Sequence, residues 1–228
     1  MLLYCSATPA SATAFFARSP ARDLPSAVSR LPILPLEAQG QGDCFIVWLS
    51  GDGGWSALER EVAARAGEQG VPTVGVNSLL YFWRARNGEE TARALDEIVR
   101  TYSARWSRAQ FVLVGYSFGA DRGPAAAARL SPDVARRLRA AVFLSPSVRA
   151  ADRVGLASWL GRGPDHSVAQ AILSVKGAAV ICVAGARDRH AACPAGASGV
   201  RTVILPGGHT LHGDGARIAA LILNAKHS

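Results

Sequence analysis

The fold of this chain is decided by the stretch Phe111-Val-Leu-Val-Gly115-Tyr116-Ser117-Phe118-Gly119-Ala120-Asp121. Its apolar run leads into the pattern G-x-S-x-G, which is typical of a strand that ends at a serine in a sharp turn before a helix. The serine of such a turn adopts positive φ and its neighbours pass close to other backbone, so glycines are expected on both sides. We predict a nucleophilic Ser117 and a helix over residues 125–130; an ordinary strand-to-helix turn is the alternative reading.

Apolar segments alternate with helical patterns from residue 40 onward. Near-continuous apolar strands separated by helices indicate an α/β fold, with a mostly parallel sheet covered by helices on both faces. A capping box of Ser56 and Glu59 marks the start of a helix that ends near residue 69, and an apolar stripe predicts another over residues 89–105. The remaining predicted elements are strands over residues 45–49, 71–76, 140–144, 178–184 and 200–205, and a last helix that carries Ile218, Leu221, Ile222 and Ala225.

The amino-terminal residues 1–39 are predicted to be a flexible lead-in or an export segment, and residues 40–228 to form one domain. The prolines of the lead-in, Pro32 and Pro35 among them, forbid a long helix or a central strand. The apolar residues 1–16 lack the positive start of a signal peptide, yet an A-x-A-like site lies at residues 12–14. Export and a cytoplasmic location therefore both stay open.

The net charge of +8 indicates attraction to anionic surfaces such as acidic phospholipid. All basic residues except Lys176 and Lys226 are arginines, and they are spread along the chain without a basic cluster that includes aromatic residues. This distribution argues against nucleic-acid binding. No apolar run after the first 40 residues is long enough to span a membrane.

The four cysteines have a spacing that fits no zinc pattern, and we expect neither a metal nor a cofactor. Cys182 and Cys193 are close enough in sequence to form a disulfide if the chain turns back between them. Two buried, reduced thiols are the equally acceptable alternative.

A serine is a poor nucleophile at neutral pH unless a base and an orienting acid assist it. Asp188 and His209 follow Ser117 in the required order, and each comes directly after a predicted strand. The carboxyl ends of parallel strands meet at one edge of a sheet, so these three side chains are expected to converge. We predict that Ser117 is the nucleophile, that His209 is the general base and then acid, and that Asp188 orients the imidazole.

Each of these partners has an alternative. His212 is the rival base, three residues beyond His209 at the start of the last predicted helix. Asp165 is the rival acid, although it does not follow a predicted strand. Asp188 also fits an ordinary surface carboxylate between Arg187 and Arg189.

An oxyanion needs two backbone N–H donors. Phe118, the residue after the nucleophile, is predicted to supply one. The second is expected from the glycine-rich loop over residues 50–55, and the candidates there are Gly51, Asp52 and Gly53. Two aromatic residues next to these donors are candidates for substrate contact, namely Tyr116 and Trp55.

Four motifs together resemble the AcvB/VirJ family of bacterial virulence proteins. They are Ser50-Gly-Asp-Gly-Gly-Trp55, Asn77-Ser-Leu-Leu-Tyr-Phe-Trp83, Gly115-Tyr-Ser-Phe-Gly-Ala-Asp121 and Leu205-Pro-Gly-Gly-His209. The resemblance covers residues 40–225 and implies an α/β-hydrolase fold, with a small or reduced lid near residues 147–170. It also implies a location in the periplasm or at the periphery of the inner membrane.

The same resemblance implies an activity, because one branch of the family is associated with hydrolysis of lysyl-phosphatidylglycerol. A serine hydrolase of an aminoacylated, anionic phospholipid is therefore expected, with the lipid or the membrane surface as its partner. Asp52 and Asp121 are candidates to bind the substrate ammonium group, although Asp121 equally fits a helix amino terminus. A generic small-ester hydrolase and a non-catalytic binding protein that assists secretion are the alternatives. Residues 81–83 are aromatic and line either the pocket or the core.

Overall fold

The computed structural model describes residues 24–148 and 167–225, and a seven-stranded sheet lies at its centre. The strands are β1 (Ile33–Leu36), β2 (Cys44–Leu49), β3 (Thr73–Val76), β4 (Gln110–Tyr116), β5 (Leu138–Leu144), β6 (Ala179–Gly185) and β7 (Val200–Leu205). Their order across the sheet is β1-β3-β2-β4-β5-β6-β7. All neighbours are parallel except β1, which pairs antiparallel with β3. The predicted mostly parallel sheet is thus confirmed.

Helices cover both faces of this sheet. They are α1 (Ser26–Ser29), α2 (Ala57–Glu68), α3 (Ser78–Tyr81), α4 (Gly88–Trp106), α5 (Phe118–Ala127), α6 (Pro132–Ala135), α7 (Val168–Ser174) and α8 (Gly215–Leu223). Along β2, Phe45 and Val47 pack in the cluster that includes α4 and α5, whereas Ile46 and Trp48 pack in the cluster that includes α2 and α8. This alternation follows from the two-residue period of a strand and explains why β2 is apolar throughout. Among the helices of the described residues, none has the length and apolar character needed to cross a bilayer.

The helix starts follow local capping chemistry. The predicted capping box at the start of α2 is present, with the backbone N–H of Ser56 donating to Glu59 Oε2 at 2.7 Å. The helix after the serine begins at Phe118 and not at residue 125, which corrects the predicted start. The reason is that the carbonyl of Ser117 already accepts from the N–H groups of Ala120 and Asp121, so the sharp turn itself begins the helix.

The predicted lead-in ends earlier than residue 39, because α1 and β1 belong to the fold. Pro35 in β1 pairs with Val74 in β3. A proline is tolerated in an edge strand, where one side needs no ladder hydrogen bonds. The prolines therefore exclude a central strand, as predicted, but still permit an edge strand. Most of the region predicted as a lid, residues 149–166, lies outside the described residues.

A disulfide joins Cys182 in β6 to Cys193, with the two Cα atoms 5.5 Å apart. This decides between the two alternatives that the sequence allows. The bond closes a loop in which Asp188 lies.

Candidate active site

Ser117 lies at the carboxyl end of β4 with φ 50° and ψ −116°. Its N–H donates to the carbonyl of Leu144 at 2.9 Å, which holds the turn against β5. The glycines beside it are required by space, since a Cβ on Gly119 would lie 2.1 Å from the carbonyl oxygen of Leu49. A Cβ on Gly115 would lie 2.5 Å from the carbonyl oxygen of Gly119. The close approach predicted from the sequence is therefore present at both glycines.

The structure brings Ser117, His209 and Asp188 into one hydrogen-bonded row. Ser117 Oγ is 2.8 Å from His209 Nε2, and His209 Nδ1 is 3.0 Å from Asp188 Oδ2. The Asp188 side chain is only 5% exposed and its other oxygen accepts from the N–H of His190, whereas the His209 side chain is 43% exposed. An Nδ1–H that donates to the carboxylate leaves Nε2 free to accept the serine proton. The arrangement can therefore deprotonate Ser117 Oγ.

Contacts between two neighbouring loops hold Asp188 and His209 next to each other. The N–H of Arg187 donates to the carbonyl of Gly207 at 2.8 Å. A Cβ on Gly185 would lie 2.2 Å from the carbonyl oxygen of Gly208, so the loops touch closely where β6 ends. Gly207 has φ 101°, a conformation that favours glycine. Gly207 and Gly208 thus allow the turn that places His209 beside Ser117.

The rival base has a different partner. His212 Nε2 is 3.3 Å from a guanidinium nitrogen of Arg187, and the ring has no hydrogen bond to Ser117. Asp165 lies outside the described residues.

The predicted oxyanion donors differ in whether their N–H groups already have an acceptor. Phe118 is the first residue of α5, where an N–H has no acceptor within the helix and is available to a ligand. The N–H of Gly51, in contrast, donates to Glu59 Oε1 at 3.1 Å. Gly51 is thereby occupied, and Asp52 and Gly53 remain as candidates for the second donor.

Glu59 is a positioning residue that the sequence reasoning assigned only to a helix cap. Its side chain is fully buried and accepts from the backbone of both Ser56 and Gly51. Ser50 Oγ accepts from the N–H of Ser78 at 2.9 Å, which fixes the other end of the loop. A capping box that directly follows a glycine-rich loop is the sequence signal for this role.

The two carboxylates predicted to bind an ammonium group differ in burial. Asp52 is half-buried in the glycine loop. Asp121 is buried, and its Oδ1 accepts from the N–H of Ser147 at 2.6 Å. Burial raises the pKa of Asp121 to about 7, against the opposing effects of its bonds from Ser147 and the charge of Arg122. Asp52 is consequently the more accessible of the two.

Trp55 ends the glycine loop, and Tyr116 packs beside its start, where a Cβ on Gly51 would lie 3.5 Å from the Tyr116 ring. The Trp55 ring packs edge-on against Trp48 and fills the space over Gly75, where a Cβ would lie 2.4 Å from it. The Tyr116 ring is 6.2 Å from the His209 ring, and burial raises the pKa of its phenol. Tyr116 is thus placed beside the histidine, while Trp55 supports the loop.

Comparison with known proteins gives a family and a fold. The family model described as bacterial virulence protein (VirJ) matches residues 43–228. Among curated proteins, none matches the chain. Solved structures that resemble it include MenH from S. aureus, with a TM-score of 0.61, 13% identity and coverage of 84% of this chain and 96% of that one.

Two further structures carry hydrolase descriptions. Naproxen esterase from Bacillus subtilis has a TM-score of 0.58 and 11% identity, over 84% of this chain and 86% of that one. An alpha-beta serine hydrolase homologue from Coxiella burnetii has a TM-score of 0.53 and 17% identity, over 84% of this chain and 89% of that one. At such identities the likeness concerns the fold, which is that of the α/β hydrolases.

Proposed function

Because this chain belongs to the VirJ family of bacterial virulence proteins and has an α/β-hydrolase fold, we propose that it is a serine hydrolase of an aminoacylated phospholipid such as lysyl-phosphatidylglycerol. The observation that carries the proposal is the hydrogen-bonded row of Ser117, His209 and Asp188. A serine whose proton can pass to an oriented imidazole is the chemical requirement for acyl transfer.

In this mechanism Ser117 Oγ attacks the ester carbonyl carbon while its proton passes to His209 Nε2. Asp188 stabilises the imidazolium that forms. The oxyanion is bound by the N–H of Phe118 and by a second N–H from Asp52 or Gly53. His209 then protonates the departing glycerol oxygen, and a water molecule that it deprotonates cleaves the acyl-serine, releasing the amino acid and restoring Ser117.

The lipid identity is supported by charge. The net charge of +8 favours an anionic lipid, and Asp52 in the glycine loop offers a carboxylate for the ammonium group of an aminoacyl ester. Under this proposal the protein works in the periplasm or at the periphery of the inner membrane.

The test is release of lysine from vesicles that contain lysyl-phosphatidylglycerol. Ser117→Ala and His209→Ala are each expected to lower the rate by at least about 1,000-fold, and Ser117→Ala to abolish labelling by a fluorophosphonate probe. His212→Ala is the matched control and should keep the wild-type rate. Equal rates for wild type and Ser117→Ala would refute the proposal. Turnover of a soluble ester without lysine release would instead indicate a small-ester hydrolase.

A further inference from the structure

Two large apolar side chains near α3 face solvent. Leu80 is 59% exposed and Trp83 is 70% exposed. Single exposed apolar residues are common, but these two line the same open groove, together with Leu31 and the arginines at positions 30 and 84. We call Leu80, Trp83, Arg30 and Arg84 the Trp83 surface.

Buried neighbours and two arginines hold the backbone of the segment that carries Trp83. Tyr81 and Phe82 are buried, so of the three aromatic residues in this segment only Trp83 points outward. Arg86 Nε donates to the carbonyl of Tyr81 at 2.8 Å, and its guanidinium lies 4.5 Å from the centre of the Tyr81 ring. Arg122 of α5 donates in turn to the carbonyl of Arg86 at 2.5 Å. Trp83 is therefore held in an exposed position.

The charged side chains that line this groove are all positive. Its lining includes Arg30, Arg84 and Arg86 but no acidic residue. Arg30 and Arg84 are exposed, and within residues 24–148 and 167–225 neither forms an ion pair. A partner that fits this surface must accept apolar side chains and supply negative charge next to them.

The Trp83 surface lies near the carboxyl ends of the parallel strands, and Ser117 lies at the same end of the sheet. Arg30 precedes the antiparallel strand β1, and the carbonyl of Pro32 accepts from the N–H of Asn77 at the carboxyl end of β3. The next residue, Ser78, is bonded to Ser50 at the start of the glycine loop. A partner bound at the Trp83 surface would therefore lie close to the glycine loop of the candidate active site.

We propose that the Trp83 surface docks the protein on an anionic phospholipid bilayer. Trp83 and Leu80 enter the interfacial region, where an indole ring is most favourable, and Arg30 and Arg84 bind lipid phosphates. An apolar protein surface would not satisfy the arginines, whereas a bilayer with anionic head groups supplies both environments. This inference goes beyond the proposed function, since docking requires no hydrolysis.

Co-sedimentation of the full chain with vesicles tests it. Vesicles of phosphatidylcholine mixed with phosphatidylglycerol should bind the wild type, and vesicles of phosphatidylcholine alone should bind it far less. The double variants Leu80→Ala/Trp83→Ala and Arg30→Glu/Arg84→Glu should each lower the partition coefficient by at least about tenfold. The controls are Ile204→Ala in β7 and Arg201→Glu/Arg217→Glu in β7 and α8, which change exposed residues outside the Trp83 surface. The second control changes the net charge by as much as Arg30→Glu/Arg84→Glu does, and both should bind like the wild type.

Fluorescence and a catalytic variant separate docking from catalysis. Anionic vesicles should shift the tryptophan emission to shorter wavelength, and Trp83→Phe should remove most of that shift. Ser117→Ala should bind vesicles like the wild type, so a failure of the hydrolase proposal would leave this result unaffected. The proposal is overturned if the wild type does not bind anionic vesicles or if the surface variants bind equally well. Self-association that is lost in Leu80→Ala/Trp83→Ala, without vesicle binding, would assign the surface to a second copy of the chain instead.

Discussion

Asp121 is a carboxylate in the first turn of α5 that is buried a short distance from the candidate nucleophile. Burial raises its pKa to about 7, and the nearby charge of Asp52 acts in the same direction. Bonds from Ser147 and the charge of Arg122 oppose this effect only in part. The sequence presents Asp121 as a ligand for an ammonium group or as a helix-terminal charge, and its contact with Ser147 adds a link to the loop after β5.

The raised pKa predicts how Asp121 affects stability with pH. The unfolded chain loses this proton near pH 4 and the folded protein near pH 7, so the contribution of Asp121 to stability falls as pH rises through that window. Asp121→Asn keeps a carbonyl oxygen for the Ser147 N–H and has no proton to lose. Relative to wild type, the variant should gain up to about 3 kcal/mol in unfolding free energy between pH 5 and pH 8, measured by urea denaturation.

Asp133→Asn is the control for this experiment. The bonds from Arg100 hold the pKa of Asp133 well below its usual range, so this exposed group does not titrate between pH 5 and pH 8. The unfolding free energy of Asp133→Asn should change with pH in parallel with that of the wild type. A parallel profile for Asp121→Asn as well would show that Asp121 is ionised throughout this range.

At the scale of elements, the sequence predicts what local patterns determine. Apolar runs give the strands, and the order of Ser117, Asp188 and His209 after them gives the row at the sheet edge. The edge strand β1 is missed because its pairing with β3 depends on a distant segment and not on its own residues. The second bond of Glu59 is missed for the same reason, since a capping pattern says nothing about which loop folds back on the helix.

The loop that carries Asp188 is predicted to depend on its disulfide. Cys193→Ser frees the end of this loop from β6, and loss of a crosslink of this length lowers stability by about 3 kcal/mol. A looser Asp188 orients His209 less well, so kcat for a soluble ester should fall by up to about tenfold. Thermal unfolding and initial rates measure the two effects. Ser198→Ala, an exposed change between Cys193 and β7, should alter neither. An unchanged kcat in Cys193→Ser would show that the remaining contacts position Asp188 without the disulfide.

At the scale of the molecule, several features that are far apart in the sequence lie together at the carboxyl ends of the strands. The row at Ser117, the glycine loop and the Trp83 surface all lie beyond the carboxyl ends of parallel strands or beside them. The parallel topology explains this convergence, because each crossover returns the chain to the opposite edge before the next strand begins. A bilayer docked on the Trp83 surface would therefore lie next to the glycine loop of the candidate active site.

This arrangement predicts a salt dependence that differs between substrates. With a net charge of +8, the protein is expected to be attracted to anionic vesicles, and salt shortens the screening length from about 10 Å at 0.1 M to about 3 Å at 1 M. The rate on vesicle-borne lysyl-phosphatidylglycerol should therefore fall by at least about tenfold over that range, while the rate on a neutral soluble ester changes little. Arg30→Glu/Arg84→Glu should flatten the vesicle curve and leave the soluble-ester curve as it is. If salt lowered both rates equally, its effect would lie in the chemical step or in the fold, and electrostatic docking would not limit the reaction.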